Sequence, residues 1–169
     1  MLEHFAAWLI ATPLSAFVSN QAWVVPTVQT IHILAIAIVM ASVLMVNLRV
    51  LGLVSPGQSI AALATRFVAP AGWSIVVLAI TGFLMIAGEP NRAIFRYVFW
   101  AKMALLLAAI AITTALLAGL KVNGVAGDAS RSVPALYRGL AVGGLLVWVA
   151  IIVAGRWIGY AEGWPGSPS

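Results

Sequence analysis

The sequence contains no cysteine. Disulfides, thiolate metal centres, iron–sulfur clusters and cysteine nucleophiles are therefore excluded. Acidic residues are nearly as scarce, since the 169 residues include four Asp and Glu in total. Few carboxylates are therefore present to form the pair that acid–base hydrolysis uses. The sequence also lacks a nucleotide-binding loop, a Ser-His-Asp set and an H-E-x-x-H motif. These absences favour a non-catalytic protein over an enzyme.

Charge is low as well. Charged residues make up 8% of the chain and hydrophobic residues 63%, whereas a soluble domain carries about 25% charged residues. A chain of this length would have to show water a large polar surface, so the composition predicts a protein embedded in the lipid bilayer. The net charge of +5 comes from scattered basic residues without a basic run. This pattern indicates orientation in the membrane and contact with anionic headgroups, and no nucleic-acid partner.

Four segments are apolar over the roughly 20 residues that a helix needs to cross the hydrocarbon core. The predicted transmembrane helices are residues 23–48, 67–88, 97–120 and 136–160. Residues 2–18 carry an apolar stripe (Leu2, Phe5, Trp8 and Leu9) that Pro13 interrupts, which predicts a helix lying in the membrane interface. Residues 163–169 have no packing pattern and are predicted to be loose. The expected fold is an all-α, integral membrane four-transmembrane-helix bundle with an N-terminal interfacial helix, forming one domain over 1–169.

Small residues recur along the third and fourth predicted spans. The third carries alanine every three or four residues, at Ala101, Ala104, Ala108, Ala111, Ala115 and Ala118. The fourth carries Gly139 and Gly143 in a G-x-x-x-G pair. Small residues allow helix backbones to approach closely in lipid. We expect the alanine seam to pack against a neighbouring helix at about +20°.

Basic residues are slightly more frequent on one side of the predicted bundle. The loops after the first and third spans, with the adjoining helix ends, hold Arg49, Arg66, Lys121, Arg131 and Arg138. Cytoplasmic loops carry an excess of Lys and Arg. We therefore expect a multi-pass protein of the bacterial inner membrane with both termini in the periplasm.

His32 lies about two turns inside the first span, where a polar ring is costly unless it is paired. Gln29 and Asn47 fall within about 60° of it on a helical wheel, which predicts one inward polar stripe. One interpretation is a structural histidine bonded to Gln29 or to a hydroxyl on a neighbouring helix. Another is an axial ligand to haem b or, less favoured, a ligand to copper. A third is a pathway for protons or a small solute along the stripe.

Membrane haem b usually takes two histidines from facing helices. The other histidine here is His4, which would reach a haem edge only if the N-terminal segment folded over the mouth of the bundle. Met85, Met103 or a histidine from a second copy of the chain are the alternatives, and an open iron site is another.

Lys102 and Arg156 are predicted to lie near the same membrane face as His32. As a functional pair they would hold haem propionates, a quinone headgroup or a lipid phosphate. As structural residues they would extend to the interface, or pair with Glu89 and Glu162. The sequence therefore offers a cofactor-binding set of His32, His4, Gln29, Lys102 and Arg156, with His32 as the metal ligand.

The stretch WVVPTVQTIHILAIAIVMASVLMVNLRVLGL, from Trp23 to Leu53, resembles the opening of a family of small bacterial inner-membrane proteins of unknown function. The segments FAAWL at 5–9 and TPLS at 12–15 fit the same family. The likeness covers nearly the whole chain and implies the membrane fold without an activity.

A more distant likeness rests on TIHILA at 30–35 and on the pattern of Trp100, Lys102 and Leu105. These features are similar to the copper-resistance D family and to HemJ-type protoporphyrinogen oxidases, which are helical bundles linked to copper or haem. The likeness implies that His32 matches the first-helix histidine and Lys102 the lysine of those proteins. The third span departs from them, because it ends in ALLAG at 115–119 without a histidine.

Together these features lead us to expect an accessory or anchor subunit of a larger, redox-linked membrane assembly, with other subunits or a second copy as partners. A haem b or copper protein and a solute pathway are the alternatives.

Overall fold

A computed structural model describes residues 2–157, apart from the side chains of residues 2, 92, 93 and 157. The last three residues of the predicted fourth span and the predicted loose tail, 163–169, lie outside the described residues. Within 2–157 the chain forms seven helices and no strand. They are α1 (Leu2–Ile10), α2 (Pro13–Asn20), α3 (Val24–Val50), α4 (Ile60–Gly88), α5 (Pro90–Ile94), α6 (Tyr97–Val122) and α7 (Ala135–Trp157). Four of them, α3, α4, α6 and α7, are long and apolar enough to cross a membrane, which confirms the predicted fold class.

Two short helices occupy the place of the single N-terminal helix that the sequence predicted. Pro13 stands in the first turn of α2, where its missing N–H breaks no helical hydrogen bond. The Thr12 hydroxyl accepts from the Ser15 N–H at 3.2 Å and donates to the Leu9 carbonyl at 2.6 Å. The proline therefore starts a second helix, and the chain turns at Thr12.

These two helices pack over the end of the bundle at which α3 begins, called the N-terminal end below. The Ser19 hydroxyl of α2 donates to the Gly88 carbonyl of α4 at 3.0 Å. A Cβ built on Gly88 would lie 2.9 Å from Cγ1 of Val18, so the glycine permits this close contact. α1 contacts α4 and α5.

Helix α4 begins earlier than the predicted second span. The Ser59 hydroxyl caps it by accepting the Ala62 N–H at 3.2 Å, and Ile60 and Leu63 in its first turn are buried. Pro70 lies inside the helix. Proline removes one backbone hydrogen bond from a helix, yet the chain is helical on both sides of Pro70. The cap at Ser59 and the packing of Ile60 and Leu63 fix the turns that precede it.

The transmembrane helices form two hairpins, α3 with α4 and α6 with α7, and α3 also contacts α7. Their shared core lies near the middle of the bundle and consists of Val39, Val43, Ala109, Trp148 and Ile151. A second core closes the end opposite the N-terminal end, through Val50, Ile60, Leu116, Leu120, Val125, Ala126 and Ala141. There the Ala61 N–H of α4 donates to the Ala126 carbonyl at 2.7 Å, which ties the second hairpin's loop to the first hairpin.

Arg49 is buried at this closed end, with 6% of its surface exposed. Its Nε donates to the Gln58 carbonyl at 2.7 Å and its Nη2 to the Pro56 carbonyl at 3.3 Å. The orientation argument from the sequence counted Arg49 among the basic groups outside the hydrocarbon. The structure shows that its guanidinium is bonded to the turn between α3 and α4, which is the loop after the first span.

The alanine seam of α6 is turned outward, and the prediction that it packs within the chain is wrong. Ala104, Ala108, Ala111, Ala115 and Ala118 are exposed, and Ala101 is half-buried. The inner face of α6 is formed by Ala109, Leu116 and Leu120. Gly139 and Gly143 also face no neighbour, since a Cβ built on either would meet no atom within 4 Å. Leu116 and Leu120, which fill more of the interhelical space than alanine does, hold two of the three inner positions of α6.

Gly119 permits a close contact between α6 and α7. A Cβ at this position would lie 2.7 Å from Cε1 of Tyr137, whose hydroxyl accepts a hydrogen bond from Nδ2 of Asn123 at 2.6 Å. We expect Gly119→Ala to lower the free energy of unfolding by about 1–3 kcal/mol, because the ring must move. Reversible unfolding in detergent measures the change. Gly139→Ala is the matched control, and equal losses in both variants would contradict the assigned contact.

Candidate functional site

The ring of His32 on α3 is hydrogen-bonded to α4. Its Nδ1 lies 2.7 Å from the hydroxyl oxygen of Thr81. The same hydroxyl lies 2.7 Å from the Val77 carbonyl one turn earlier, the usual acceptor for a helical threonine. A hydroxyl has a single proton, and the carbonyl only accepts. Thr81 therefore donates to Val77, and His32 donates its Nδ1–H to Thr81.

This arrangement leaves Nε2 of His32 as a hydrogen-bond acceptor with an available lone pair. The ring is half-buried and rests against the backbone of α4 at Gly82, where a Cβ would lie 3.7 Å from its Cε1. Of the structural partners considered from the sequence, the structure shows the hydroxyl on a neighbouring helix. Gln29 is not that partner.

The polar stripe predicted on α3 is not continuous. The Gln29 side chain is exposed, one turn nearer the N-terminal end than His32. Asn47 is buried far along the helix, and its Nδ2 donates to the Val43 carbonyl of its own helix at 2.8 Å. Its Oδ1 is buried without a hydrogen-bond partner. The stripe therefore brings no polar groups to His32 from its own helix.

Lys102 belongs to the second hairpin, in the second turn of α6. Its half-buried side chain lies against α7 at Gly155, where a Cβ would be 3.4 Å from its Nζ. Within the described residues, no hydrogen bond or ion pair engages the Lys102 ammonium. Each hairpin thus presents one titratable side chain that rests on a glycine of its partner helix.

The other residues of the predicted set lie elsewhere. His4 is exposed on α1, and Arg156 is exposed in the last turn of α7. Met85 is half-buried beside the cluster of Val18, Val24 and Val28. Over residues 2–157 no group of three or more His, Asp or Glu side chains is placed to hold a metal ion. From the predicted set, His32 therefore lies against α4 and Lys102 against α7.

Sequence reasoning missed Thr81, Gly82 and Gly155. Each is defined by a contact between distant positions, such as the 49-residue separation of His32 and Thr81. The one available signal is that Gly82 belongs to a short run of small residues, Thr81-Gly82, inside an apolar helix.

Large aromatic side chains surround this end of the molecule. Phe5 and Trp8 of α1 stack with ring centroids 5.9 Å apart, and the Trp100 indole donates to the Ile94 carbonyl at 2.9 Å. Exposed aromatic residues at this end include Trp8, Phe17, Trp23, Tyr97 and Trp100. Such rings are typical of the headgroup level of a bilayer. His32 and Lys102 lie toward this end of their helices.

The arrangement has two chemical capacities. Nε2 of His32 accepts a proton or a hydrogen bond, or ligates a metal. The Lys102 ammonium donates to an anionic oxygen.

Comparison with known proteins identifies a family whose function is unknown. The model of a family of unknown function, DUF6644, matches residues 14–161, which include the stretch on which the sequence resemblance rests. No curated protein and no solved structure matches the chain. The more distant likeness to copper-resistance D and HemJ-type proteins gains no support from these comparisons.

Proposed function

We propose a role for this chain from its own geometry, since it belongs to the DUF6644 family, whose function is unknown. The chain is an accessory or anchor subunit of a larger membrane assembly. The outward alanine seam of α6, formed by Ala104, Ala108, Ala111, Ala115 and Ala118, is the observation that carries this proposal.

Lipid removes the hydrophobic driving force between helices, so association depends on close backbone approach and van der Waals packing. Alanine at every third or fourth position gives α6 a smooth face along most of its length. The adjoining helix α7 also has a smooth face, at Gly139 and Gly143, which face no neighbour. These faces suit the close approach of a helix from another subunit or from a second copy. We place this assembly in the bacterial inner membrane, with both termini in the periplasm.

The test replaces a central residue of the seam. We expect Ala111→Leu to reduce co-purification of partner subunits from native membranes at least tenfold, because a bulky side chain separates the backbones. Ala41→Leu, at an exposed position of α3, is the matched control and should retain them. Crosslinking in native membranes followed by mass spectrometry identifies the partner. A wild-type chain that crosslinks to nothing, neither a subunit nor a second copy, would contradict the proposal.

A second candidate is a cofactor protein in electron transfer or cofactor handling, with haem b, or less favourably copper, bound at His32. The available Nε2 of His32 favours this candidate. A metal-ligating histidine usually donates a hydrogen bond from its other ring nitrogen, which fixes the orientation of the ring. The bond from Nδ1 of His32 to Thr81 is of this kind. Lys102 and Arg156 would then hold the propionates. The described residues supply one axial ligand on α3, while His4 lies exposed on α1. A Soret band that disappears in His32→Ala would support this candidate. A solute pathway has no comparable observation in its favour.

A further inference from the structure

We propose that α1 and α2 insert a shared aromatic face into one leaflet of the bilayer, at the boundary between the headgroups and the acyl chains, without help from anionic lipid. The inference is independent of the alanine seam and of the assembly proposed above. The sequence predicts an interfacial location for residues 2–18. The contacts of α1 and α2 define which side chains meet the lipid and at what depth.

The depth of α2 is set by its contacts with two membrane-spanning helices. Val18 of α2 is buried in one cluster with Val24 and Val28 of α3, and Leu84 and Met85 of α4 pack against this cluster. Helix α3 has 27 residues and is therefore about 40 Å long, which matches a bilayer with its headgroup layers. Its first turns, and α2 beside them, therefore lie at the level of the headgroups.

The surface of α1 is divided into three faces. Ala6 and Leu9 are buried against the protein, whereas Phe5 and Trp8 are exposed. On a helical wheel the exposed aromatic pair is centred about 100° from the buried pair. The third face carries exposed polar and small side chains: Glu3, His4 and Ala7.

Helix α2 repeats this division in the same rotational order. Ser15 and Val18 are buried, and the exposed apolar pair, Leu14 and Phe17, is again centred about 100° from them. The third face carries exposed polar and small side chains: Ala16, Ser19 and Asn20. A helix at the edge of a bundle in water needs one apolar face, against the protein. A second apolar face beside a polar one is expected where the helix also borders lipid.

The chemistry of this aromatic face fits uncharged contacts with lipid. Within the described residues the indole N–H of Trp8 has no hydrogen-bond partner, and an interfacial tryptophan buries its ring while its N–H meets the headgroups. No Lys or Arg precedes Arg49 in the sequence. Many interfacial helices add electrostatic attraction to anionic lipid through basic side chains. Here the apolar area alone must hold α1 and α2 at the membrane.

The test attaches single nitroxide spin labels, which the absence of cysteine makes simple. Trp8→Cys and Phe17→Cys place the label on the aromatic face. Ala7→Cys and Ala16→Cys place it on the polar face of the same helices, as matched controls. Electron paramagnetic resonance of the full chain in phosphatidylcholine nanodiscs compares collisions with oxygen, which concentrates in lipid, and with a nickel chelate, which stays in water. We expect the ratio of oxygen to nickel collisions to be about fivefold higher on the aromatic face.

Replacing half of the phosphatidylcholine by phosphatidylglycerol should leave this ratio unchanged, and a rise would overturn the independence from anionic lipid. Phe5→Cys and Leu14→Cys supply a second label on each helix if a first variant fails to fold. Equal nickel accessibility of the two faces would place the aromatic face in water. Labels on that face that neither reagent reaches would place it under another protein. Either result would overturn the proposal.

Discussion

Replacing Arg49 by methionine is expected to lower the free energy of unfolding by about 3 kcal/mol. The substitution removes the two hydrogen bonds that the guanidinium donates to the Gln58 and Pro56 carbonyls, and bonds from a charged group are worth about 1.5–3 kcal/mol each. The turn that they hold contains Ser55 with a φ of +47°, a conformation that a residue with a Cβ adopts at a cost. Chemical denaturation in a mixed detergent system measures the loss.

Arg66→Met is the matched control for this prediction. Arg66 is exposed on α4 near the same end of the bundle, and its loss should change the free energy of unfolding by less than about 0.5 kcal/mol. If the two variants unfold at the same denaturant concentration, the contribution of Arg49 is an ordinary surface charge and the assigned role in the turn is wrong.

Thr81→Val is expected to lower the free energy of unfolding by about 1–3 kcal/mol. Valine fills nearly the same volume as threonine but leaves the His32 Nδ1–H without the acceptor that it contacts at 2.7 Å, and an unsatisfied buried donor costs about that amount. Thr81→Ser, which keeps the hydroxyl, should recover most of the difference. The same unfolding experiment measures all three proteins.

A double-mutant cycle separates the hydrogen bond from other effects of the substitution. In the His32→Leu background the donor is absent, so Thr81→Val should cost less than about 0.5 kcal/mol. An undiminished cost in that background would show that Thr81 stabilises the protein through its own helix alone.

The fold class followed from the sequence because lipid imposes simple constraints on it. A segment must be apolar over about 20 residues and must satisfy its backbone internally, and both conditions are visible in the order of residues. The helices α3, α6 and α7 accordingly begin within one residue of the predicted starts at 23, 97 and 136. The start of α4 differed because its first turns are fixed by Ser59 and by contacts with the distant loop at Ala126.

The sequence was a poorer guide to which side of each helix faces the interior of the bundle. In water an apolar stripe marks the buried side, but in lipid both sides of α6 are apolar, and alanine suits either one. The seam from Ala104 to Ala118 therefore had two possible orientations, and the structure shows the outward one. The surroundings of Arg49 were likewise not predictable from local sequence. A count of charges at helix ends does not reveal that the following turn folds back over the guanidinium.

The candidate site was predictable in part. Ionisable residues inside a membrane segment are rare enough to be conspicuous, and this identified His32 and Lys102. Their partners, Thr81, Gly82 and Gly155, depend on which helices pair and at what height. That information lies in the packing of the whole chain, and no local motif carries it.

The orientation of the His32 ring is the claim on which the haem candidate depends. Nitrogen-15 NMR of the His4→Gln chain in lipid nanodiscs leaves His32 as the one histidine in the sequence and reports the protonation of each ring nitrogen. The structure predicts a protonated Nδ1 and a bare Nε2 at pH 7.5. A proton on Nε2 with a bare Nδ1 would contradict it.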